Sequence, residues 1–328
     1  MTELDAAAAV VTGTPKDAAV LLVCHVNPDG DALGSMLGFG LGLRRLGYTG
    51  VQATFPEPFD VAEPFQFLPG LDLLVSPADA VAKPDLAVSF DAASEGRLGE
   101  LGPALTAAPE WIVLDQHVSN TGFGTHRLVY PGSAATAEVA AWLLDRIGVE
   151  LDPDIATCLY VGLATDTGSF KFDATTPEVF ALAARLVRAG ANPGDVARRV
   201  FDTRPFPVIR LLSEVLARAE LDPAAAAGRG LVSAYATMED LHRYGQPVHV
   251  LESFMDVVRT AAEADVACLV KPLEPGKWAV SLRSKGATDV AAVAVALGGG
   301  GHRLAAGFTG YGTASQVLDA VKLELTRG

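Results

Sequence analysis

Val20-Leu-Leu-Val-Cys-His25-Val-Asn-Pro-Asp29-Gly-Asp31 gives the clearest indication of how the chain folds. It begins as an uninterrupted apolar run and then passes into an imidazole and two carboxylates around Pro28 and Gly30. A short apolar run bounded by turn residues predicts a buried strand, and this run is too short and lacks the basic flank that an export signal or membrane span needs. A buried strand followed by charged side chains is typical of a parallel α/β sheet, in which ligands bind beyond the carboxyl ends of the strands.

The rest of the first half repeats this alternation of short apolar runs with Ala/Leu-rich helical stretches, the pattern of a parallel α/β sheet. Further strands are predicted at Val51–Phe55, Leu86–Phe90 and Trp111–Leu114. Helices are predicted at Ala32–Leu46, Ala134–Ile147 and Pro153–Leu163.

A second, smaller α/β unit is predicted from about Leu231 to the C-terminus, with strands near Leu231–Tyr235, Val266–Lys271 and Trp278–Arg283. Between the two units, the segment Asn192–Asp222 has the apolar spacing of an amphipathic helix. Its candidate inner positions are Val196, Val200, Val208, Leu211, Leu212 and Val215. The predicted organisation is therefore a first domain over 1–190, a helical linker over 191–228 and a second domain over 229–328, with an active site in the cleft between the domains.

Composition limits the classes of protein that fit. The chain has 328 residues, 50% of them hydrophobic, and a formal net charge of −14. Such a chain can bury a sizeable core, and its overall field does not attract long nucleic acid. Cys24, Cys158 and Cys268 are far apart in apolar runs, so we expect them to be reduced residues of the core. We also expect a cytoplasmic protein that binds neither membranes nor long duplex nucleic acid.

Acidic and imidazole residues of the first half gather where predicted strands or helices end. They are His25, Asp29, Asp31, Asp91, Asp115, Gln116 with His117, and Asp166. One aspartate at a strand end often caps a helix, and one histidine is often a core residue. Two carboxylates and an imidazole within seven residues, however, repel or desolvate one another unless a cation neutralises them. A ligand set of Asp and His without thiolate favours Mn²⁺ or Mg²⁺ over structural zinc.

The second half carries the glycine-rich segment Gly298-Gly-Gly-Gly-His302-Arg303 and the pair Arg283-Ser284 at a predicted strand end. Taken alone, a glycine run is most simply a tight turn between a strand and a helix. Glycines also let backbone N–H groups approach an anion, and Arg presents a planar fork of donors that matches phosphate. We therefore expect a phosphate-binding segment that includes Gly299, Gly300 and Gly301.

These motifs, in this order, resemble the DHH phosphoesterase superfamily: His25 to Ser35, Asp91, Asp115 to Asn120, and Thr165-Asp-Thr-Gly168. The segment from Gly298 to Gly307 resembles the signature of the DHH-associated C-terminal domain. The chain looks most like the nano-RNase and pAp-phosphatase branch, which includes members that cleave cyclic dinucleotides. It is too short for RecJ exonucleases, and family II pyrophosphatases lack the glycine-rich signature.

The resemblance implies two Mn²⁺ ions, with Mg²⁺ as the alternative. His25 and Asp29 would hold one ion, Asp31 and Asp166 the other, and Asp91 would bridge them. Asp115 would orient a neighbouring side chain.

The third motif departs from the family pattern, because Asp-Gln-His stands where the family has Asp-His-His. Either the amide oxygen of Gln116 ligates the second ion, or His117 rotates into that role and leaves its place beside the substrate phosphate.

The function that the resemblance implies is hydrolysis of short 5′-phosphorylated nucleotides by a metal-bound hydroxide. Candidate substrates are oligoribonucleotides of two to five residues, pAp, and linear or cyclic dinucleotides such as pApA and c-di-AMP. Asp91, Asp115 and His117 are the expected catalytic residues. Arg283 and His302, with Ser284, Arg303 and the glycines, would hold the terminal phosphate or the far nucleotide. The alternatives are a non-catalytic or impaired nucleotide-binding protein, because of Gln116, and a strict pAp monoesterase. A homodimer is expected from the resemblance.

Overall fold

A computed structural model describes residues 2–326 of the chain. It contains two compact units, which divide between Thr203 and Arg204.

The first unit is built on a five-stranded sheet with the order β2-β1-β3-β4-β5, in which every neighbouring pair is parallel. Its strands are β1 (Ala19–Cys24), β2 (Gly50–Thr54), β3 (Leu86–Phe90), β4 (Trp111–Asp115) and β5 (His126–Val129). Its helices are α1 (Glu3–Gly13), α2 (Gly30–Arg45), α3 (Gly102–Ala107), α4 (Thr136–Arg146), α5 (Pro153–Asp166), α6 (Pro177–Ala189) and α7 (Pro193–Val200). The four strands predicted from the first half are confirmed, and β5 was missed.

Both faces of this sheet are covered, which explains why the strands read as continuous apolar runs. In β1, Val20, Leu22 and Cys24 enter the core that contains α2, α4 and α5. Leu21 and Val23 point to the opposite face and pack with residues of α3 and the segment before it.

Two glycines let α2 and α5 approach closely enough to bring their acidic residues together. A Cβ atom on Gly34 of α2 would lie 2.3 Å from the carbonyl oxygen of Cys158. A Cβ atom on Gly162 of α5 would lie 2.8 Å from Oδ1 of Asp31 and 2.8 Å from the Cβ atom of Ala137. Real Cβ atoms do not come this near, so both positions require glycine.

The second unit is built on a six-stranded mixed sheet with the order β10-β11-β9-β8-β7-β6, in which only β7 and β8 are parallel within the described residues. Its strands are β6 (Glu220–Asp222), β7 (Leu231–Tyr235), β8 (Val266–Glu274), β9 (Lys277–Ser284), β10 (Gly300–His302) and β11 (Ala305–Tyr311). Its helical segments are α8 (Phe206–Ala217), α9 (Ala225–Gly228), α10 (Met238–Tyr244), α11 (Met255–Val258), α12 (Val290–Ala296) and α13 (Ala314–Leu325). The three strands predicted here are confirmed, and the α/β class holds for both units.

The prediction of one helix over Asn192–Asp222 is wrong. The segment forms α7 and α8, separated at residues 201–205, and then joins the second sheet as β6. Pro205 explains the break, because the residue before a proline is disfavoured in the helical region and proline has no N–H to donate. The predicted inner positions therefore serve two cores: Val196 packs in the first unit, and Val208, Leu211 and Val215 pack in the second.

Two further expectations concern burial. Cys24, Cys158 and Cys268 are free and buried, as predicted. Within residues 2–326, no helix combines the length and the apolar character that crossing a bilayer would require.

Candidate metal centre

The centre lies at the point where the strand order of the first sheet changes direction. From β1 the chain goes to β2 on one side, and β3 then pairs with the other side of β1. In open parallel sheets the crevice at such a point, beyond the carboxyl ends of the strands, is where ligands bind. His25 directly follows β1, and Asp91 directly follows β3.

His25 is buried and presents one ring nitrogen to the centre. Its Nδ1 atom lies 2.8 Å from the carbonyl oxygen of Val26, which requires a proton on Nδ1. The Nε2 atom then carries a lone pair in the neutral ring and lies 3.4 Å from Oδ2 of Asp91 and 3.9 Å from Oδ2 of Asp29. A lone pair facing two carboxylates is the arrangement of a metal-ligating histidine with a fixed tautomer.

The two acids of the first loop have divided roles. We predicted that the helix begins at Ala32, but α2 begins at Gly30, because Asp29 caps it. The Oδ1 atom of Asp29 accepts from the backbone N–H groups of Asp31 and Ala32 at 3.1 and 3.0 Å. Its Oδ2 atom remains directed to His25.

Asp31 is fully buried in the first turn of α2. Its carboxylate accepts from the backbone N–H groups of Thr136 at 2.5 Å and Ala137 at 2.8 Å. These donors belong to the N-terminus of α4, which stabilises a negative charge. The helix predicted from Ala134 thus begins two residues later and binds Asp31 with its first free N–H groups.

Asp91 adopts a left-handed backbone conformation with φ of 56°. This region is uncommon for residues other than glycine and is enriched in Asp and Asn. The turn keeps the Asp91 carboxylate buried between its partners, with Oδ1 accepting from the hydroxyl of Thr136 at 3.0 Å and Oδ2 facing His25. The residue with this uncommon backbone conformation therefore lies between His25 and Thr136.

Asp166 completes the centre. It was placed after a helix ending at Leu163, but α5 continues to Asp166 itself. Its Oδ2 atom accepts from Nε2 of Gln116 at 3.2 Å, so the glutamine does lie beside the second group of acids. The oxygen and nitrogen of a glutamine amide are nearly the same size, so rotating the amide by half a turn would direct Oε1 toward Asp166 instead of Nε2.

The residues fall into two groups that share Asp91. Ligand atoms of His25, Asp29 and Asp91 lie within 4.8 Å of one another, and so do those of Asp31, Asp91 and Asp166. These are the two sets that the resemblance implied.

A third set, Asp91 with Asp115 and His117, is equally close, but hydrogen bonds explain it. The Nδ1 atom of His117 lies 2.7 Å from Oδ1 of Asp115, and Nδ2 of Asn120 donates to Oδ2 at 2.6 Å. Both oxygens of Asp115 are therefore occupied by hydrogen bonds.

Burial and mutual repulsion perturb the pKa values of the carboxylates at the centre. Burial raises the pKa values of Asp31 and Asp166 well above their usual range, and repulsion from the neighbouring carboxylates raises them further. Burial also acts on Asp91, but its hydrogen bond to His25 and the nearby histidines outweigh burial and lower its pKa. The pKa of His25 is raised, because its contacts with Asp91 and Asp29 outweigh the lowering that burial causes.

Divalent cations fit this donor set. Four carboxylates and one imidazole converge with lone pairs facing one another, and oxygen-rich sets of this kind suit Mn²⁺ or Mg²⁺. His25 and Asp29 would hold one cation, Asp31 and Asp166 the other, and Asp91 can reach both.

Three of the residues predicted to bind substrate in the second unit, Arg283, Ser284 and Arg303, line two different pockets. Arg283 and Ser284 border a cavity of about 270 Å³ that also includes Arg259 and Lys285. The hydroxyl of Ser284 is already used, since it donates to Asp265 at 3.2 Å and accepts from the N–H of Gly286 at 3.0 Å.

Arg303 borders the second cavity, which has a volume of about 530 Å³. One of its nitrogens donates to the carbonyl oxygen of Gly286 at 3.0 Å.

The glycine run is not the turn between a strand and a helix that it resembled. It follows α12 and enters β10, which pairs with β11. A Cβ atom on Gly299 would lie 2.1 Å from the carbonyl oxygen of Gly307, and the N–H of Gly299 donates to the carbonyl of Ala294 at 2.8 Å. That N–H group is therefore not available to an anion. Gly300 is open, and His302 is exposed.

Sequence reasoning missed two polar residues of the centre, Thr136 and Asn120. Thr136 offered only the signal of a hydroxyl residue near a helix start. Asn120 ends the motif quoted from Asp115, and its position in that motif was the available signal.

Two family models match this chain. The model of the DHH family, N-terminal domain, matches residues 19–163, and that of the DHHA1 domain matches residues 234–326. The bifunctional oligoribonuclease and PAP phosphatase NrnA of Thermus thermophilus is 34% identical over 316 residues, which cover 94% of this chain and 90% of that protein. An uncharacterised Mycoplasma pneumoniae protein, the MG371 homolog, is 30% identical over 301 residues, covering 88% of this chain and 85% of that protein.

Among solved structures, an exopolyphosphatase-related protein from Bacteroides fragilis has the same fold. It superposes with a TM-score of 0.89 at 22% identity and covers 99% of this chain and 96% of its own. The family predicted from the motifs is confirmed. The chain belongs to the DHH family, in the branch of the nano-RNases and pAp phosphatases, and is a hydrolase of phosphoester bonds.

Proposed function

We propose that this protein is an Mn²⁺-dependent phosphoesterase that acts on short 5′-phosphorylated nucleotides. Its substrates are oligoribonucleotides of two to five residues, pAp, and linear or cyclic dinucleotides such as pApA and c-di-AMP. The observation that carries the proposal is the pair of ligand groups sharing Asp91, because a shared carboxylate would hold two cations close together, and two close cations stabilise the attacking and leaving oxygens in phosphatases and nucleases. The similarity to NrnA of Thermus thermophilus, named as an oligoribonuclease and PAP phosphatase, supports the substrate class.

When bound, two divalent cations activate a water molecule and neutralise phosphoryl oxygens. The chain's own residues supply orientation and a proton. Asp115 fixes the ring of His117 through Nδ1, so Nε2 is the nitrogen that faces a reacting group. The hydrogen bond to Asp115 raises the pKa of His117, which favours a protonated ring that donates to the leaving oxygen.

The first unit supplies the catalytic centre in this proposal, and the second unit binds the rest of the substrate. Arg283 is half-buried in a cavity that it shares with Arg259 and Lys285, a cationic surface suited to a phosphate group. His302 directly follows the glycine run and is exposed. We assign it to phosphate binding as well. The net charge of −14 supports a preference for short substrates over long nucleic acid.

A cytoplasmic homodimer is also part of this proposal and rests on the family resemblance alone.

A second candidate is a nucleotide-binding protein with little or no turnover. It is favoured by Gln116, which stands where the family has a histidine.

The experiment measures turnover of pAp, pApA and c-di-AMP with and without saturating Mn²⁺, for the wild type and Gln116→His in parallel. The proposal predicts Mn²⁺-dependent release of AMP by the wild type. If Gln116→His turns over substrate and the wild type does not, although both proteins bind the nucleotide tightly, the second candidate is supported. Hydrolysis of pAp but not of pApA identifies a monoesterase.

A further inference from the structure

The cavity of about 530 Å³ in the second unit lies on the face of the sheet opposite Arg283. Leu282 packs in the core that also contains α12 and α13. Since side chains alternate along a strand, Arg283 points to the other face, where its partner Ala267 packs with residues of α11. The cavity is lined by residues of α9, α12 and α13. It is therefore separate from the pocket that the proposed function assigns to substrate.

Two arginines line this cavity, and their guanidinium groups are held at neighbouring positions. Arg303 donates to the carbonyl oxygen of Gly286 at 3.0 Å, and Arg229 donates to that of the next residue, Ala287, at 3.4 Å. Among the described residues, neither guanidinium forms an ion pair with a carboxylate, whereas Arg218 of the same unit does. A guanidinium has five N–H donors, so each of these groups keeps donors for a ligand.

Asp265 fixes the loop that holds both guanidinium groups. Its carboxylate accepts from the backbone N–H groups of Ala287 at 3.2 Å and Thr288 at 2.9 Å. Its own backbone N–H donates to the carbonyl oxygen of Arg229 at 2.9 Å. The loop and the backbone of this arginine are thus attached to one residue. Such preorganisation lowers the ordering cost of binding an anion.

The turn at α9 adds strain at the same cavity. Ala226 and Ala227 both line it, and both have left-handed backbone conformations, with φ of 53° and 56°. This region is unfavourable for a residue with a Cβ atom, whereas glycine adopts it freely. Strained conformations of this kind concentrate at functional sites. Ala292, Val293 and Leu325 extend the apolar surface that the two methyl groups begin.

Size and composition indicate the class of ligand. A volume of about 530 Å³ is typical of sites for small organic molecules. Asp289 and Glu324 also border the cavity, and a carboxylate can accept several hydrogen bonds, including those from sugar hydroxyl groups. Paired guanidinium groups match a phosphate. Together with the apolar surface, these groups match a phosphate that is joined to a sugar.

We propose that this cavity binds a small organic phosphate, a mononucleotide or a sugar phosphate, with the phosphate between Arg229 and Arg303. The sugar hydroxyl groups donate to the carboxylates, and the rest of the ligand contacts the alanines. The site is additional to the proposed catalytic centre and does not depend on its activity. The sequence grouped Arg303 with Arg283 at one phosphate, because strand alternation and helix packing, which separate them, are not visible in a motif.

Calorimetry with the full chain in EDTA tests the proposal, because EDTA keeps divalent cations from the first unit. The ligands are AMP, ribose 5-phosphate, adenosine and inorganic phosphate. We expect AMP or ribose 5-phosphate to bind at least about tenfold more tightly than adenosine and inorganic phosphate, since each of these lacks one part of the ligand. Tighter binding of AMP identifies a mononucleotide site, and tighter or equal binding of ribose 5-phosphate identifies a sugar-phosphate site.

Five variants locate the ligand. Arg229→Gln and Arg303→Gln should each weaken binding by about 10- to 100-fold, the effect of losing a hydrogen bond to a charged group. Ala292→Phe leaves both arginines in place but fills the cavity, and it should weaken binding by at least about tenfold. Arg283→Gln alters the other pocket and should bind like the wild type. Arg243→Gln, on the exposed surface of α10, is the matched control and should also bind like the wild type.

Three results would overturn the inference. The first is a wild type that binds neither AMP nor ribose 5-phosphate, or binds inorganic phosphate equally well. The second is binding that is lost in Arg283→Gln and kept in the Arg229 and Arg303 variants, since the ligand would then occupy the substrate pocket. The third is wild-type affinity in Ala292→Phe, which decides the question even if an arginine variant fails to fold. Because no metal is present, a failure of Mn²⁺-dependent hydrolysis leaves these measurements unaffected.

Discussion

The Nδ1 atom of His117 lies 2.7 Å from Oδ1 of Asp115, and this contact fixes which nitrogen of the ring remains available. The other oxygen of Asp115 is held by Asn120 at 2.6 Å, so the carboxylate cannot turn away. This geometry supports the proposal that His117 faces substrate through Nε2. Gln116 is the residue of the motif that lies beside Asp166.

Asp115→Asn tests this arrangement. The amide keeps the size of the side chain but no longer holds His117 as a charged acceptor, so we expect kcat to fall about 10- to 100-fold, as for other residues that orient a reacting group. Calorimetry should still detect two Mn²⁺ ions per chain. Loss of one ion would show instead that Asp115 is a ligand.

Thr136→Val removes the hydroxyl that donates to Asp91 at 3.0 Å and nearly preserves the shape of the side chain. The backbone N–H that donates to Asp31 remains. We expect Mn²⁺ affinity, measured by titration against activity and by calorimetry, to fall about tenfold. Thr136→Ser keeps the hydroxyl and is the matched control. Equal affinities for all three proteins would contradict a role for this hydroxyl.

Gly162→Ala should separate α5 from its neighbours, because the new Cβ atom would lie 2.8 Å from Oδ1 of Asp31 and 2.8 Å from the side chain of Ala137. We expect destabilisation of about 1–3 kcal/mol, typical of overpacking, and loss of the cation bound by Asp31 and Asp166. Gly13→Ala, where nothing lies within 4 Å of the new atom, is the control and should be neutral or slightly stabilising. Urea unfolding measures the stability and calorimetry measures Mn²⁺ binding. Wild-type stability and Mn²⁺ binding in Gly162→Ala would argue against close packing at this position.

The second unit contains a pH-dependent ion pair. Asp240 accepts from both terminal nitrogens of Arg218, at 2.6 and 2.7 Å. Burial alone would raise the pKa of Asp240, but Arg218 and Thr237 outweigh burial and lower it to about 2. A carboxylate whose pKa is lower in the folded state than in the unfolded state stabilises the fold at pH values above its unfolded-state pKa. This stabilisation disappears as the pH falls through the folded-state pKa.

Asp240→Asn should therefore cost about 2 kcal/mol at pH 7, and the difference from the wild type should shrink to about half near pH 3. Denaturant unfolding of both proteins at several pH values provides the measurement. Arg243→Gln, which breaks the exposed pair with Glu239, should have little effect at any pH. A cost for Asp240→Asn that does not change with pH would contradict the assignment.

Much of the first unit could be predicted because its signals are local. Runs such as Leu86–Phe90 are buried on both faces of the sheet, so they stand out as strands, and the acids that follow them meet at one edge. The same reasoning could not place Thr136, whose partner Asp91 is 45 residues away. Nor could it detect the left-handed turn at Asp91, since only the completed fold forces that conformation.

In the second unit, local signals indicated three of the strands but were misleading elsewhere. The stretch Ala305–Tyr311 contains two glycines and no continuous apolar run, so β11 was missed, although it pairs with β9 along its whole length. The sequence predicts that the glycine run before it binds an anion, and it did not indicate that Gly299 and Gly301 also allow a close approach to β11. Sequence periodicity across Asn192–Asp222 hid the break at Pro205 for a related reason: each half has a regular apolar face, but the faces enter different cores.

In the proposed function, Asp91 joins two cation sites into one hydrolytic centre. Asp91→Asn removes the charge of this shared carboxylate, and asparagine also tolerates the left-handed backbone conformation. Mn²⁺-dependent hydrolysis of pAp is measured for the variant and the wild type at equal protein concentration. We predict turnover by the wild type and a loss of more than about 100-fold in the variant, beyond the usual effect of a residue that only supports a ligand. Hydrolysis by Asp91→Asn at the wild-type rate would contradict the account.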